Sequence, residues 1–423
     1  MLTRRYSQNT INLSIEKNTS ELFDWTTFIV TMCLVAIGLI SIYSATIGTS
    51  NSTFFYKQLT AAIIGIPVMF VIMYLPERWL SNYALIIYVV LLGMLIFVFV
   101  LGKVVSGTKG WIDLGSFSIQ PSEFAKVTTL LLVSKFLSTP GTDIKAIRDL
   151  GVALSIILLP AVLIGIQPDV GTATVVVVML IGLMYWSGFD LYVLFLFVTF
   201  PVVFILSLLG TTYFITSVSI FSIISAAFRK KIFVTAISIG FIVAVGYFSP
   251  IIIENIMPHQ KNRIETFLNP GSDPLKKGYN VIQSIMAVGS GGLIGKGFMQ
   301  GTQTQLKYIP SSWTDFIFCV PSEEFGFIGG AIVIILIITL IMRALRIASE
   351  SNSKFFSLIS FGVATILLYH TLINIGMVIG LMPVMGIPLP FLSYGGSSLL
   401  LNFILVGLLL NAYRSYRKKT DEE

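Results

Sequence analysis

An aspartate at the edge of an apolar run is the first candidate for chemistry in this sequence. Asp315 directly precedes the apolar stretch FIFCV and follows a long polar segment that is rich in glycine and basic residues. Connections of this length are usually functional or disordered, and the Tyr, Phe, Ile and Leu content of the segment argues against simple disorder. Asp315 is therefore predicted to act as a general base. The structural alternative is a helix N-cap, with the helix beginning at Phe316.

Charged groups flank Asp315 on both sides. The glycine-rich stretch GSGGLIGKG, residues 289–297, could cradle phosphate oxygens with its backbone N–H groups, and Lys296 could add positive charge. A flexible turn is the alternative for this stretch. Glu323 and Glu324 follow Asp315 within an apolar run, where charged side chains are costly and need a polar partner. They are interpreted as a structural pair with a lysine or as a proton relay.

A second polar stretch, residues 106–126, carries four further candidates for substrate binding. Lys109 and Trp111 precede a predicted helix in which Glu123 and Lys126 lie three residues apart and hence on one face. An internal ion pair between Glu123 and Lys126 is an equally good interpretation. Trp111 has the alternative role of an anchor at the membrane interface.

Two more motifs complete the set of candidates. Asp169 in QPDVGT either takes part in chemistry or caps a helix. The stretch MPVMGIPLPFLSYGGSS, residues 382–398, contains the candidate Ser393 and has too many prolines and glycines for a continuous helix. Broken backbone at membrane depth is tolerated only where it is buried in protein or lines a cavity, so we expect this segment to line the same cavity as Asp315. His370 is interpreted as a histidine with satisfied hydrogen bonds.

Composition places these motifs in a membrane protein. The 423 residues are 55% hydrophobic and 11% charged, with a mean hydropathy of +0.89, whereas soluble domains carry about 25% charged residues. The net charge of +7 mainly reports which side the loops face, so no nucleic-acid partner is expected. Cys33 and Cys319 lie in apolar runs with no disulfide or metal-site spacing, and the first 24 residues have no signal-peptide pattern.

The predicted fold is an all-α, polytopic integral membrane protein of about 10–12 transmembrane helices, with a large extracytoplasmic loop and a re-entrant broken segment. A spanning helix needs about 20 apolar residues. The run at 121–137 contains Lys126 and Lys135 and would be missed by hydropathy alone, and the run at 211–228 is rich in Ser and Thr. The predicted spans are 25–45, 58–75, 83–101, 121–137, 150–166, 171–187, 190–209, 211–228, 232–252, 314–342, 357–382 and 398–413.

Orientation follows from the lysines and arginines in short loops, which favour the cytoplasm. The pattern predicts cytoplasmic tails at residues 1–24 and 414–423 around one transmembrane domain, residues 25–413. The 253–313 loop then lies on the extracytoplasmic side, because long loops are exempt from the rule.

Six motifs, taken together and in order, resemble the shape, elongation, division and sporulation (SEDS) family of membrane peptidoglycan glycosyltransferases. The elongation-type members are the more similar ones, because of GKGFMQGTQTQLKYIP. The six motifs are GWIDLG with IQPSEFAK, QPDVGTA, NRIETFLNPGSDPLKKGYNVIQS, GSGGLIGKG, WTDFIF with EEFGFIGG, and GIPLPFLSYGGSS.

The resemblance implies a polymerase of lipid II in the bacterial cytoplasmic membrane that supports cell elongation and cell shape. Its implied partners are a class B penicillin-binding protein and other membrane proteins of the elongation complex. The essential acid of the family falls on Asp315, and other functional positions fall on Trp111, Glu123, Lys126 and Asp169.

Three departures from the family pattern stand out. Gly110, next to Lys109, replaces the usual Arg, and Ser311 and Trp313 replace the usual Glu and His. Residues 189–252 hold three apolar runs where the family has one, which suggests an extra helix pair.

The resemblance and the residues suggest one mechanism and two alternatives. Asp315 would take a proton from the acceptor hydroxyl, while Lys126, Lys296 or a divalent cation (Mg²⁺ or Mn²⁺) would neutralise the pyrophosphate; no nucleotide cofactor is expected. One alternative is a transporter that flips the lipid-linked precursor. The other is a catalytically weak scaffold that activates a penicillin-binding protein.

Overall fold

Helices make up most of the chain, as the composition predicts. The structure, a computed structural model, describes residues 22–46, 52–105, 108–113, 115, 118–228, 230–254, 267, 278–310 and 312–422. The elements in chain order are α1 (Trp25–Thr46), α2 (Thr53–Tyr74), α3 (Glu77–Leu101), β1 (Lys103–Val105), β2 (Thr108–Asp113), β3 (Ser118–Ile119), α4 (Pro121–Ser138), α5 (Ile147–Ile166), α6 (Val170–Trp186), α7 (Leu191–Leu208), α8 (Thr211–Ala227), α9 (Ile232–Glu254), α10 (Tyr279–Ser290), α11 (Thr302–Gln305), α12 (Cys319–Glu324), α13 (Gly326–Glu350), α14 (Lys354–Val378) and α15 (Gly396–Glu422).

The predicted all-α membrane fold is confirmed. Nine of the described helices are long and apolar enough to cross a membrane, and α6 and α8 are shorter apolar helices. Helix α4 is not among the nine, since it carries Glu123, Lys126 and Lys135. Each of the twelve predicted spans except 314–342 corresponds to one helix.

Helices α4, α14 and α15 form the centre of the bundle and are buried on most sides. Helix α15 packs closely against α2, because Gly65 leaves room for the Phe403 ring and a Cβ on Gly407 would lie 2.7 Å from the Met69 carbonyl oxygen. Central helices of this kind can carry polar side chains away from lipid, where partner groups can satisfy them.

The predicted span 314–342 is wrong as a single helix. Residues 312–318 form turns, α12 is short, and α13 begins after a break at Gly326. Gly326 has φ +66°, and a Cβ there would lie 2.4–2.7 Å from backbone atoms of Gly295 and Leu293. The close approach of a second chain segment therefore breaks the apolar run.

That second segment is the glycine-rich part of the long loop. The described part of the loop, residues 278–310, contains α10 and α11 and packs on α12. Phe327 N donates to the Gly292 carbonyl oxygen at 2.8 Å, and Gly297 N donates to that of Glu324 at 2.9 Å. The loop is a folded part of the bundle here. Its predicted extracytoplasmic position remains a prediction.

A small antiparallel sheet was not predicted. Strand β2 pairs with both β1 and β3, and the order is β1-β2-β3. This sheet lies between α3 and α4 and carries Trp111 in its central strand.

Residues 189–252 form three helices, as the apolar runs predict. Ser225 near the end of α8 is bonded to Tyr192 at the start of α7, so α7 and α8 are antiparallel. Ser207 and Ser249, near the ends of α7 and α9, are also hydrogen-bonded. Lys230 pairs with Asp190 at 2.6 Å and lowers the pKa of that carboxyl. The three helices alternate in direction. The helices that follow therefore start on the same side of the membrane as they would after a single crossing.

This arrangement predicts that the two turns of the three-helix unit face opposite sides of the membrane. In a Cys33→Ser background, Lys231→Cys should react with a membrane-impermeant maleimide only when the reagent has access to the cytoplasmic face of the membrane. Thr211→Cys, at the other turn, is the matched control and should react from outside. Both positions are exposed. Labelling of both from the same side would contradict three crossings.

Candidate active-site cavity

A cavity of about 370 Å³ opens at one end of the bundle and collects most of the predicted chemistry. Trp111, Glu123, Asp169 and Asp315 all line it, although they come from four separate parts of the chain. The described lining consists of Lys57, Trp111, Ser118, Gln120, Glu123, Pro168, Asp169, Val170, Gly171, Thr172, Thr314, Asp315, Met385, Gly386, Pro388, Tyr394, Gly395, Gly396, Ser397 and Ser398.

Asp315 is held at the cavity by its backbone. The Asn374 side chain donates 2.8 Å hydrogen bonds to the carbonyl oxygens of both Asp315 and Ile387. The carboxylate lies beside Gly386, where a Cβ would be 3.6 Å from Asp315 Oδ2. The alternative that Asp315 caps a helix at Phe316 is wrong, because the next helix begins only at Cys319.

The broken segment 382–398 lines the cavity together with Asp315, as predicted. Ser393, however, is not part of the lining. It is buried, its Oγ donates to the Thr314 carbonyl oxygen, and it accepts from Leu389 N, both at 2.8 Å. The structure thus gives Ser393, predicted to bind substrate, the role of fixing the turn before Asp315.

Glu123 and Lys126 form a buried ion pair at 2.9 Å, the internal alternative from the sequence. Lys126 is fully buried and also lies 3.2 Å from His370 Nε2. Because an ammonium group can only donate, His370 Nε2 accepts, and Nδ1–H donates to the Pro388 carbonyl oxygen at 3.0 Å. Lys126, predicted to supply charge to substrate, is instead behind the cavity wall and holds Glu123 at the surface of the cavity.

Asp169 caps a helix, one of the two roles that the sequence left open, and a part in chemistry remains a prediction. Its Oδ1 accepts from Thr172 N at 3.1 Å and caps α6. Its Oδ2 accepts from the side chains of Gln120 at 3.0 Å and Ser122 at 2.9 Å, which ties the start of α6 to the start of α4. Asp169 also lines the cavity.

Lys296 lies outside the cavity lining. Its Nζ binds Glu323 Oε1 at 2.7 Å, and Glu323 also accepts from the backbone N–H groups of Gln303 and Thr304 at 2.8 and 3.0 Å. Gln305 and Ser44 bind Glu324. These contacts fit the predicted structural pair with a lysine. They also give the stretch 289–297, predicted to hold phosphate, a packing role.

Of the positions that depart from the family pattern, Trp313 packs near a lining residue of the cavity through Phe54. The ring centroids of Trp313 and Phe54 are 5.7 Å apart, and those of Phe54 and Tyr394 are 4.7 Å apart. Lys109 lies in β2, and its side chain and all of Ser311 fall outside the described residues.

Lys57 is a cavity residue that sequence reasoning missed. It lies in the first turns of α2, is exposed, and lines the cavity. Among the described residues no carboxylate lies within ion-pair distance of it. In the sequence, Lys57 is a single basic residue at the start of an apolar helix, and this pattern is also typical of a helix end exposed to solvent.

The FtsW/RodA/SpoVE family of cell cycle proteins matches the chain over residues 24–208 and 191–418. The chain is 37% identical to stage V sporulation protein E of Bacillus subtilis, with 92% of the chain and 96% of that protein covered. It is 33% identical to the peptidoglycan glycosyltransferase RodA of Treponema pallidum (92% and 97%). It is 34% identical to the peptidoglycan glycosyltransferase MrdB of Escherichia coli K12 (92% and 94%).

Solved structures agree with this sequence similarity. A chain from a study of how a peptidoglycan synthase complex coordinates polymerization and crosslinking has a TM-score of 0.69 and 27% identity, covering 93% of this chain and 98% of that one. The rod shape determining protein RodA of Thermus thermophilus has the same fold, with a TM-score of 0.61 at 24% identity and coverage of 93% and 97%. The chain therefore belongs to the FtsW/RodA/SpoVE family, the SEDS family whose motifs it carries.

Proposed function

We propose that this multi-pass membrane peptidoglycan glycosyltransferase polymerises lipid II into glycan strands, with Asp315 as general base. The observation that carries the proposal is the cavity, which brings Asp315 together with Trp111, Glu123 and Asp169. The relatives named as peptidoglycan glycosyltransferases cover nearly the whole chain, so the activity they are named for is the appropriate starting point.

The chemical step needs one base and a stabilised leaving group. The Asp315 carboxylate removes the proton from the 4-hydroxyl of the acceptor sugar as that oxygen bonds to the anomeric carbon of the donor. The bond from that carbon to the pyrophosphate oxygen breaks, polyprenyl pyrophosphate leaves with the electron pair, and the configuration inverts. General base catalysis contributes about 10²- to 10⁴-fold. Positioning two lipid-anchored substrates and stabilising the leaving charge must supply the remainder.

The cavity lining itself suggests where a divalent cation would bind. Among the described residues, no group of three or more His, Cys, Asp and Glu side chains is placed to hold a metal ion. Mg²⁺ is often held by one or two carboxylates together with substrate phosphates, and Asp315 or Asp169 would suit that arrangement. No step of the proposal requires the ion.

The flippase alternative is less well supported by the geometry. Secondary transporters bind their substrates near the midplane of the bilayer, at the interface between their structural repeats. Here the lining comes from the starts of α2, α4, α6 and α15, that is, from helix ends at one side of the bundle. An accessible site at one membrane surface favours chemistry on a substrate that is already there.

The scaffold alternative rests on the missing Glu and His beside Asp315. In place of the imidazole, Trp313 packs against Phe54, so its ring serves packing. Asp315 itself remains at the cavity surface. This arrangement favours an enzyme that keeps the base.

We place the cavity on the extracytoplasmic side of the bacterial cytoplasmic membrane, with both termini in the cytoplasm. A class B penicillin-binding protein would then crosslink the strands as they form, since the similar complex coordinates polymerization with crosslinking. Because the motif GKGFMQGTQTQLKYIP resembles that of elongation-type members, we propose a role in cell elongation and shape maintenance, with other membrane proteins of that machinery as partners.

The test is polymerisation of lipid II by the purified protein in detergent, where flipping has no meaning. We expect slow formation of glycan strands by the chain alone and faster formation with its penicillin-binding protein. A partner-bound preparation that makes no glycan would contradict the enzyme and favour the scaffold.

A further inference from the structure

Among the helix N-termini at the cavity, those of α2 and α15 have no acidic residue in the first turn, and α2 carries Lys57 near its start instead. Asp169 caps α6 and Glu123 lies in the first turn of α4, so both of those helix ends already face a negative group. Helix α15 begins at Gly396, directly after Gly395, and has no acidic residue in its first turn. Its first intrahelical bond is Leu399 N to the Gly395 carbonyl oxygen. The N–H groups of residues 396–398 therefore lack helical acceptors, and such an end favours anions.

Two largely buried serine side chains at the same helix end also have hydroxyl groups without partners among the described residues. Ser397 is 1% exposed and Ser398 is 8% exposed, yet both line the cavity. Neither hydroxyl has a hydrogen-bond partner within the described chain. Because both side chains are held in the cavity wall with their hydroxyls unpaired, they are available to donate hydrogen bonds to a ligand in the cavity.

Lys57, the one cation among the described lining residues, has its backbone held next to this helix end. Gln58, the neighbour of Lys57, is buried; its Oε1 accepts from Gly395 N at 3.0 Å and its Nε2 donates to the Ser393 carbonyl oxygen at 3.1 Å. This clamp ties the start of α2 to the start of α15. Lys57 is therefore held beside the open end of α15, on the same cavity.

We propose that Lys57 and the first turn of α15, residues 396–398, form the anion subsite that holds the pyrophosphate of a polyprenyl pyrophosphate-linked substrate. The subsite refines the proposed function and rests on it for the identity of the ligand. It replaces Lys126 and Lys296 as the source of stabilisation for the leaving pyrophosphate. Backbone N–H groups and serine hydroxyls donate to the phosphate oxygens, and the Lys57 ammonium neutralises charge.

The experiment measures binding of farnesyl pyrophosphate and of farnesol to the purified full-length protein in detergent, without added divalent cation. Lys57→Gln and Ser397→Ala should each weaken farnesyl pyrophosphate binding, Lys57→Gln by about 10- to 100-fold. The affinity of both variants for farnesol should stay within about twofold of the wild-type affinity, because farnesol has no phosphate. Lys57 is exposed and the Ser397 hydroxyl is unpaired, so neither change removes a contact that the fold needs.

The matched control is Lys307→Gln, which removes an exposed lysine of the long loop outside the cavity lining and should leave binding unchanged. The subsite is overturned if Lys57→Gln binds farnesyl pyrophosphate as tightly as wild type, or loses farnesol equally. It is also overturned if the wild type binds the pyrophosphate no better than farnesol. Its failure is distinguishable from failure of the proposed function, because a wild type that binds pyrophosphate through Lys57 but makes no glycan refutes only the latter.

Discussion

Asp315→Asn should reduce glycan polymerisation by about 10²-fold or more, since the amide cannot accept a proton at neutral pH. Asn has nearly the same size as Asp. The Asn374 hydrogen bond goes to the backbone carbonyl of residue 315, so the exchange leaves it in place. Folding and partner binding should therefore persist. The measurement is the rate of strand formation from lipid II by matched amounts of partner-bound protein.

Asp169→Asn is the control for a carboxylate in the same cavity. Asn is also a favoured N-cap and keeps an oxygen for Thr172 N. The hydroxyl of Ser122 and the amide of Gln120 can reorient to meet the new NH₂ group. Polymerisation should fall far less than for Asp315→Asn. Equal loss in the two variants would show that any neutralised carboxylate at the cavity is damaging and would remove the special role of Asp315.

Glu123→Gln should lower stability strongly, because Lys126 is fully buried and would lose its carboxylate partner. Breaking a buried pair by removing one partner costs about 3–5 kcal/mol. Thermal unfolding of the purified protein in detergent, followed by tryptophan fluorescence, measures the effect.

The double variant Glu123→Gln/Lys126→Met separates stability from function. Replacing both charges of a buried pair with neutral groups of similar volume is often neutral for stability. The double variant should thus melt nearer to wild type than the single variant does. We expect it to remain poor in polymerisation, because Glu123 lines the cavity. A single variant as stable as wild type, or a double variant less stable than the single, would contradict the structural role of the pair.

Several features were predictable because sequence alone determines them. Asp315 stands out as an acid at the edge of an apolar run, and the prolines and glycines of residues 382–398 exclude a continuous helix wherever the segment lies. Helix α4 could be predicted despite Lys126, because Glu123 three residues before it offers a partner on the same face. The three helices within residues 189–252 follow from apolar length.

Other features depend on contacts between distant residues. Glycine-rich sequence is equally suited to a phosphate cradle and to close backbone packing, and only the position of Glu323 and Glu324 beside residues 296–297 distinguishes them. The same limit applies to Lys57, whose significance depends on the Gln58–Gly395 bond across 337 positions of sequence. The short strand pairing around Trp111 likewise requires the ends of α3 and α4 to be in place.

Lipid II affinity and turnover, measured on one partner-bound Asp315→Asn preparation and compared with wild type, test the central claim most directly. If Asp315 is the base, the variant binds lipid II with wild-type affinity and forms strands at least about 10²-fold more slowly. A variant that binds lipid II normally and polymerises it within a few-fold of the wild-type rate would remove Asp315 from the mechanism.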